Sequence, residues 1–170
     1  MLTSTRRRFF EDSLMATAAV ALPAQLFAAD PTSTSPNEKL TAAIIGCGIR
    51  GKAHARELAR LADLSGAAVA TSYNAKGVVA EDQPYSVGML GTWGMAAANR
   101  ALEQADCVIV LGASLGPDYT RFRDARLIRP GEQTLAQVDV DPRNSAWVYP
   151  MDLAVQGDCG DVIDLLIGRG

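Results

Sequence analysis

The amino-acid sequence predicts an α/β protein with a single Rossmann-like parallel sheet that carries helices on both faces. Two observations predict this fold. Short apolar runs alternate with segments of helical periodicity, and the runs are apolar on both faces of each strand. Such strands must be covered above and below the sheet. The composition, 48% hydrophobic and 21% charged, is typical of a globular protein.

The strands and helices of this domain, residues 40–170, are placed from their apolar patterns. The predicted strands are 42–45, 67–71, 107–111, 135–140 and 153–155, and the predicted helices are 52–62, 96–105 and 162–167. Glycines close two of the strands, and Asp141-Pro142 stops another because proline cannot continue a strand ladder. One sheet accounts for all of these elements.

The first 39 residues have a different character. Residues 1–29 contain Arg6-Arg7-Arg8, then an apolar stretch too short to span a bilayer, then the small residues Ala28 and Ala29. This order is typical of a twin-arginine-type export signal, which predicts a periplasmic protein. The alternative is an amphipathic or frayed N-terminal helix, in which case the protein is cytoplasmic. Residues 30–39 form a polar linker.

Charge and cysteine usage exclude several classes of function. The formal net charge of −3, without a basic stripe, gives no reason to expect nucleic-acid binding. Cys47, Cys107 and Cys159 have neither the spacing of a metal site nor that of a disulfide framework. We therefore predict no metal ligands, no disulfides and no transmembrane segment.

A ligand crevice is expected at one edge of the sheet. The carboxyl ends of parallel strands lie along one edge, where open α/β sheets bind ligands. Four of these ends are rich in Gly and Asp: Gly46-Cys47-Gly48, Gly112-Ala113-Ser114, Asp139-Val140-Asp141 and Gly157-Asp158-Cys159. Glycines let a nucleotide approach the backbone closely. The simpler alternative is that Gly merely ends strands.

The first of these turns has the spacing Gly46-x-Gly48-x-x-Gly51, follows a strand and opens a helix, as a dinucleotide fingerprint requires. Residues 39–61, including His54, resemble the N-terminus of Gfo/Idh/MocA-type NAD(P)-dependent oxidoreductases. The resemblance implies NAD(P) bound at the three glycines. A ribose-binding carboxylate should follow the second strand, but Thr71-Ser72-Tyr73-Asn74 offers none, and that family's Glu-Lys-Pro motif is also missing.

From about residue 61 onward the chain resembles the central domain of thiamine-diphosphate enzymes of the acetolactate synthase type. The supporting residues run in one unbroken order along the chain: 66–71, 74–77, 81–84, 88–94, 98–102, 105–106, 111–113, 138–142 and 157–158. The resemblance implies a Rossmann-like domain that is structural in many members and holds FAD in acetolactate synthases.

The same resemblance implies where a cofactor would lie. The loop Leu90-Gly91-Thr92-Trp93 would lie beside a flavin ring, and Gly112 and Ala113 would approach a diphosphate. The adenosine would be surrounded by Asp139, Val140, Asp158 and Cys159. FAD-binding members carry Arg after the Gly-Ala pair, followed by Asp-Asp-Arg, whereas this chain has Ser114 and then Gly116-Pro117-Asp118; Arg121, Arg123 or Arg126 would have to compensate.

Catalysis in that family needs two further domains, which supply the activating glutamate and a Gly-Asp-Gly…Asn-Asn motif that binds Mg²⁺ and thiamine diphosphate. Residues 157–161 resemble only the start of that motif and are interpreted as the turn after the last strand. No catalytic residue is therefore assigned. Thiamine diphosphate and Mg²⁺ are expected only in a full-length parent enzyme, and the expected partners are its missing domains or further copies of this chain.

The two resemblances predict a chimeric chain or a fragment, joined near Arg60 to Asp63, with both parts in one sheet. Three functions are compatible with the sequence. The first is a nucleotide-binding or structural central domain that binds FAD or ADP. The second is a truncated NAD(P)-binding oxidoreductase domain, and the third is an interaction module without a ligand.

Overall fold

The computed structural model describes residues 42–46 and 54–168, and for residues 42–46 only the backbone. The six strands are β1 (Ala42–Gly46), β2 (Ala68–Thr71), β3 (Ser86–Met89), β4 (Cys107–Leu111), β5 (Thr134–Asp139) and β6 (Leu153–Gln156). The α-helices are α1 (Ala55–Ser65), α2 (Ala96–Gln104) and α3 (Cys159–Gly168). Short 3₁₀ turns span Tyr73–Ala75, Pro117–Thr120 and Pro142–Asn144.

All six strands form one parallel sheet in the order β3-β2-β1-β4-β5-β6. The prediction of a single Rossmann-like α/β sheet is therefore confirmed. In the centre, Ile44 of β1 is paired with Val69 of β2 on one side and with Ile109 of β4 on the other. The expectation that the strand at 42–45 shares a sheet with 107–111 is thus also confirmed.

The two faces of the sheet carry separate apolar layers. On one face, α1 and α3 pack against the side chains of Cys107, Ile109 and Leu111. On the other, α2 and the connection from β4 to β5 cover Val108 and Val110. Every residue of β4 is buried because successive strand side chains point to opposite faces and both faces are covered.

The strand β3 was not predicted from the sequence. It has only four residues, lies at the edge of the sheet, and its pairing with β2 is irregular between Val69 and Ala70. Gly88 lies inside it with a φ of +84°. Because glycine has no side chain, Gly88 interrupts the apolar pattern by which so short a strand would be recognised in the sequence.

The helices differ from prediction at their ends. Helix α1 continues to Ser65 and stops at Gly66, which has a φ of 65° and donates its N–H to the Ala62 carbonyl at 2.7 Å. Helix α3 begins at Cys159 rather than 162. Gly160 lies in its first turn, where a Cβ would overlap the His54 imidazole, so this glycine permits packing rather than a turn. Within the described parts of the chain, no helix is long and apolar enough to cross a membrane.

Candidate functional site at the carboxyl edge of the sheet

The predicted site residues follow the carboxyl ends of neighbouring strands. The strand order reverses between β1 and β4, which is where sheets of this topology bind ligands. Gly46 ends β1 and Gly112 follows β4, so both lie at this reversal. Gly48 and Gly51, like Cys47, the leader 1–29 and the linker 30–39, fall outside the described residues.

A buried glutamine organises the turn after β4. Gln137 of β5 is 1% exposed, and its Nε2 donates to the Ala113 carbonyl at 2.9 Å. Its Oε1 accepts from the Ala146 N–H at 2.9 Å, and the Gly112 N–H donates to the Val138 carbonyl at 2.8 Å. The predicted diphosphate turn is therefore held by a residue that sequence reasoning missed. A polar residue inside an otherwise apolar strand was the available signal.

The turn after β5 is stabilised by the carboxylate of Asp139, the last residue of that strand. Asp139 is 7% exposed; its Oδ1 accepts from the Asp141 N–H at 2.9 Å and its Oδ2 from the Asn144 Nδ2 at 3.1 Å. Both oxygens thus stabilise the turn that follows. The adjacent Val140 lies outside the strand and is largely exposed, so its side chain is accessible to a ligand.

Asp158 and Cys159 lie where β6 passes into α3. Asp158 Oδ1 accepts from the Gly160 N–H at 2.8 Å and lies 3.6 Å from His54 Nε2. The Cys159 thiol donates to the Val138 carbonyl, with Sγ 3.6 Å from the oxygen. The Asp158 side chain therefore links the start of α3 to the start of α1, and Cys159 links α3 to β5.

The loop Leu90–Trp93 is attached to two other segments. Leu90 is buried and donates its N–H to the Thr71 carbonyl at 2.9 Å. Thr92 donates its N–H to the Asp118 carbonyl at 3.0 Å, and the Trp93 N–H donates to the Tyr73 hydroxyl at 3.1 Å. These contacts leave the Trp93 side chain 77% exposed at the rim of the edge.

Tyr73 occupies the tip of β2, where a dinucleotide site would have a carboxylate. Its hydroxyl donates to the Asp118 carbonyl at 3.2 Å, and its ring lies 5.2 Å from that of Tyr119, centroid to centroid. The described residues at this tip include no acid, in agreement with the sequence. This strand end is built to hold the segment around Asp118 rather than a ribose.

Large aromatic side chains are exposed around this edge. Trp147 lies close to Gly116, where a Cβ would be 3.9 Å from Trp147 Cζ3 and 3.7 Å from Tyr119 Cδ2. The rings of Tyr119 and Tyr73 continue this row toward Trp93. We call Tyr73, Trp93, Tyr119 and Trp147 the aromatic row; its two tryptophans are 77% and 60% exposed.

Of the arginines that could replace the missing one after Gly112-Ala113, one is already paired. Arg126 binds Asp124 through two contacts, Nε to Oδ1 at 3.0 Å and Nη2 to Oδ2 at 2.7 Å. These hydrogen bonds hold the pKa of the Asp124 carboxyl well below its usual range. Arg121 Nη1 lies farther from the same carboxylate, at 3.8 Å from Oδ2. Arg121 is the freer of the two for an anionic ligand.

The described residues contain no group of three or more His, Cys, Asp or Glu side chains arranged to hold a metal ion. At residues 157–161, the segment that resembles the start of a metal-binding motif, the backbone passes directly into α3. The arrangement at this edge therefore offers backbone groups, glycine turns and aromatic surface. These features suit the binding of a planar or phosphorylated ligand better than acid–base chemistry.

Comparison of this chain with known sequences matches it to one protein family. The sequence model described as "Thiamine pyrophosphate enzyme, central domain" matches residues 37–166. The match begins upstream of residues 39–61, so it also covers the segment that resembles the oxidoreductases. Neither the oxidoreductase resemblance nor a joined chain is shown by these comparisons, and both stay hypotheses.

Individual relatives agree with this match. The acetolactate synthase isozyme 1 large subunit of Escherichia coli (strain K12) is 35% identical over 124 residues, which covers 70% of this chain and 20% of the relative. The sulfoacetaldehyde acetyltransferase of Alcaligenes xylosoxydans xylosoxydans is 32% identical over 102 residues, covering 60% of this chain and 17% of the relative. The chain thus spans about a fifth of the length of these curated relatives.

A solved structure has the same fold. The X-ray structure of a Mycobacterium smegmatis protein, assigned as a thiamin diphosphate-dependent enzyme, superposes with a TM-score of 0.58 at 24% identity. The superposition covers 77% of this chain and 25% of that one. From the family match and the shared fold together, this chain belongs to the family of thiamine pyrophosphate enzyme central domains.

Proposed function

We propose that this chain is a nucleotide-binding or structural central domain of an acetolactate synthase-like, thiamine-pyrophosphate-dependent enzyme, and that it does not catalyse a reaction alone. The observation that carries the proposal is the carboxyl edge of the β3-β2-β1-β4-β5-β6 sheet. There the turns after β3, β4, β5 and β6 leave the same edge of the sheet, on either side of the point where strand order reverses. The similarity to the acetolactate synthase isozyme 1 large subunit of Escherichia coli supports the enzyme type.

For the ligand we propose FAD or ADP. Gly112 has a φ of +61° and no side chain, so a diphosphate can approach the backbone there. The exposed side chains of Val140 and Trp93 offer apolar surface to the rings of such a ligand. The fit is incomplete because the arginine of FAD-binding members is replaced by Ser114. ADP, which needs no contact to a flavin ring, is the smaller ligand that the edge accommodates.

Calorimetric titration of the purified chain with FAD, ADP and NAD tests the ligand. Saturable binding of FAD or ADP supports the proposal. Binding of NAD alone would favour a truncated NAD(P)-binding oxidoreductase domain, and no heat with any of the three would favour an interaction module. Gln137→Glu is the variant that alters the predicted diphosphate turn, because the new carboxylate would face the Ala113 carbonyl of that turn. Gln156→Glu, the same change at an exposed position of β6, is the matched control.

For the partner we propose the remaining domains of a thiamine enzyme, either on a longer form of this chain or on a separate one. The aromatic row exposes two tryptophans at the edge where neighbouring loops converge, and exposed aromatic side chains are enriched in protein interfaces. The purified chain is therefore expected to lack acetolactate-forming activity when thiamine diphosphate and Mg²⁺ are supplied. Turnover by the isolated chain would contradict this part of the proposal.

For the location we propose export to the periplasm, on the order of charge, apolar residues and small residues in 1–29. Replacement of Arg6 and Arg7 by Lys keeps the charge but removes the paired guanidinium groups. Export of a reporter fused after residue 39 should be lost in this variant. Equal export of both forms would overturn the twin-arginine assignment.

A further inference from the structure

A cleft of about 340 Å³ opens between α2 and the segment that follows the 3₁₀ turn Pro117–Thr120. Two arginines line it from different elements: Arg100 from α2 and Arg121 from the segment. Thr92 and Glu103 are also on its walls. We call this the arginine cleft.

Among the residues that line the arginine cleft, two arginines face a single carboxylate, that of Glu103. The nearest acid to Arg121 is Asp124, at 3.8 Å, and Arg126 already holds both oxygens of Asp124. None of the ion pairs between residues of the described range 54–168 includes Arg100. The hydrogen bonds with Asp124 raise the pKa of the Arg126 guanidinium, and the charge of Glu103 adds a smaller contribution in the same direction. An anion in the cleft would therefore meet two guanidinium groups and one carboxylate, that of Glu103.

The other polar wall of the cleft is already satisfied within the protein. The Asn99 amide donates to the Gly91 carbonyl and accepts from the Gly91 N–H, each at 3.1 Å. The Thr92 hydroxyl donates to the Asp118 carbonyl at 3.3 Å. These groups hold the wall in place, and recognition is left to the two arginines.

We propose that the arginine cleft binds a diphosphate group, either free or as part of a nucleotide. Guanidinium groups bind phosphate oxygens through two parallel hydrogen bonds, and two arginines suit a ligand with several charged oxygens better than a single carboxylate. A cleft of about 340 Å³ is also far larger than the ~30 Å³ that one water occupies in the liquid, so a diphosphate fits with water around it. This proposal does not rest on the nucleotide site at Gly112-Ala113.

The test uses the full chain and inorganic pyrophosphate. The chain has only two tryptophans, so in a Trp147→Phe background the tryptophan fluorescence comes from Trp93, which stands between two cleft residues; the arginine variants below show whether its signal comes from the cleft. Pyrophosphate, added at constant ionic strength, should change the Trp93 fluorescence saturably. Arg100→Gln and Arg121→Gln should each weaken the apparent affinity by about tenfold or more, because each removes a charged pair of hydrogen bonds.

Arg123→Gln is the matched control, since it removes the same charge from the same exposed segment without lining the cleft. Equal weakening by Arg123→Gln, or the lack of a saturable signal, would overturn the proposal. Circular dichroism checks the fold of each variant. If Arg121→Gln does not fold, the pyrophosphate affinity of Arg100→Gln decides the test.

Parallel titrations with ADP and adenosine identify the source of the diphosphate. ADP binding that depends on Arg100 and Arg121, without adenosine binding, supports a nucleotide diphosphate in the cleft. Pyrophosphate binding without ADP binding supports a free diphosphate. ADP binding that both arginine variants leave intact, together with no pyrophosphate binding, refutes the cleft and leaves the proposed nucleotide function standing.

Discussion

The side chain of Asn99 forms two hydrogen bonds with the backbone of Gly91, one in each direction. Its Oδ1 accepts from the Gly91 N–H and its Nδ2 donates to the Gly91 carbonyl, both at 3.1 Å, and both residues are buried. The first turn of α2 thereby fixes the loop Leu90–Trp93 against the sheet. The position of the predicted ligand loop thus depends on a residue eight positions farther along the chain.

Asn99→Ala should lower the free energy of unfolding by about 2–4 kcal/mol, because it leaves a buried N–H and a buried carbonyl unpaired. Asn99→Asp keeps the acceptor for the Gly91 N–H but sets a buried carboxylate against the Gly91 carbonyl, so it should also be destabilising, and more at high pH than at low pH. Urea denaturation measures both. The control is Asn74→Ala, which removes an exposed amide that donates to the Tyr119 hydroxyl and should cost less than ~0.5 kcal/mol. Equal losses for Asn99→Ala and Asn74→Ala would contradict the role of Asn99.

Gly91→Ala should destabilise the fold more than Gly131→Ala. Both glycines have positive φ, +108° and +86°, so both substitutions carry a backbone cost of about 1–2 kcal/mol. At Gly91, however, the new Cβ would lie 2.6 Å from the Asp118 carbonyl oxygen, whereas at Gly131 it meets no atom within 4 Å. We expect an additional loss of roughly 1–3 kcal/mol at Gly91, measured by urea denaturation. Matching losses would show that the loop moves freely away from Asp118.

Gln137→Glu should destabilise the turns after β4 and β5 together. The Ala146 N–H keeps its acceptor, but the Ala113 carbonyl loses its donor and faces a carboxylate instead. The expected loss is about 1–3 kcal/mol, larger at high pH than at low pH because a protonated Glu can again donate. Hydrogen exchange at Gly112 and Ala146 reports the local effect. Unchanged exchange at both amides would contradict it.

The pH dependence of stability should contain a contribution from Cys107. Burial, together with the nearby carboxylates of Asp106 and Asp152, raises the pKa of this thiol from 9.0 to about 12. The folded chain therefore retains a proton that the unfolded chain loses above pH 9, so the free energy of unfolding falls as the pH rises from 9 toward 12. Well below pH 9 the thiol is protonated in both states and contributes no slope.

The comparison of wild type with Cys107→Ala isolates this contribution. Between about pH 8 and about pH 10 the wild type should lose roughly 1.4 kcal/mol more than Cys107→Ala, since one pKa unit corresponds to ~1.36 kcal/mol. Other titrating groups affect both proteins equally. Parallel pH profiles would show that the Cys107 thiolate is tolerated in the folded core.

Much of the fold follows from local sequence pattern. The strand at 107–111 was predicted with the bounds that the structure shows, because Cys107-Val108-Ile109-Val110-Leu111 is apolar throughout and stops at a glycine. Strand β3 was missed because its four residues include Gly88, and an edge strand is recognised only by the neighbour that pairs with it. Helix α3 was placed too late because Gly160 was interpreted as part of a turn.

The site was predictable only in part. The carboxyl edge followed from the strand ends, since all strands of a parallel sheet end at one edge. The residues that shape it did not, because Tyr73 and Asp118 are 45 positions apart in the chain and Gln137 is 24 from Ala113. Contacts between residues this far apart in the chain cannot be predicted from a local sequence motif.

The sequence by itself determined the parallel sheet, its two covered faces, and the membership in a thiamine-enzyme domain family, because apolar periodicity and motif order are properties of neighbouring residues. Only the tertiary structure decided that Asn99, Tyr73 and Gln137 hold the loops of the site and that Arg100 and Arg121 share one cleft. Those contacts arise when the sheet brings distant turns to one edge. Hydrogen-bond geometry between them is therefore a property of the packed chain alone.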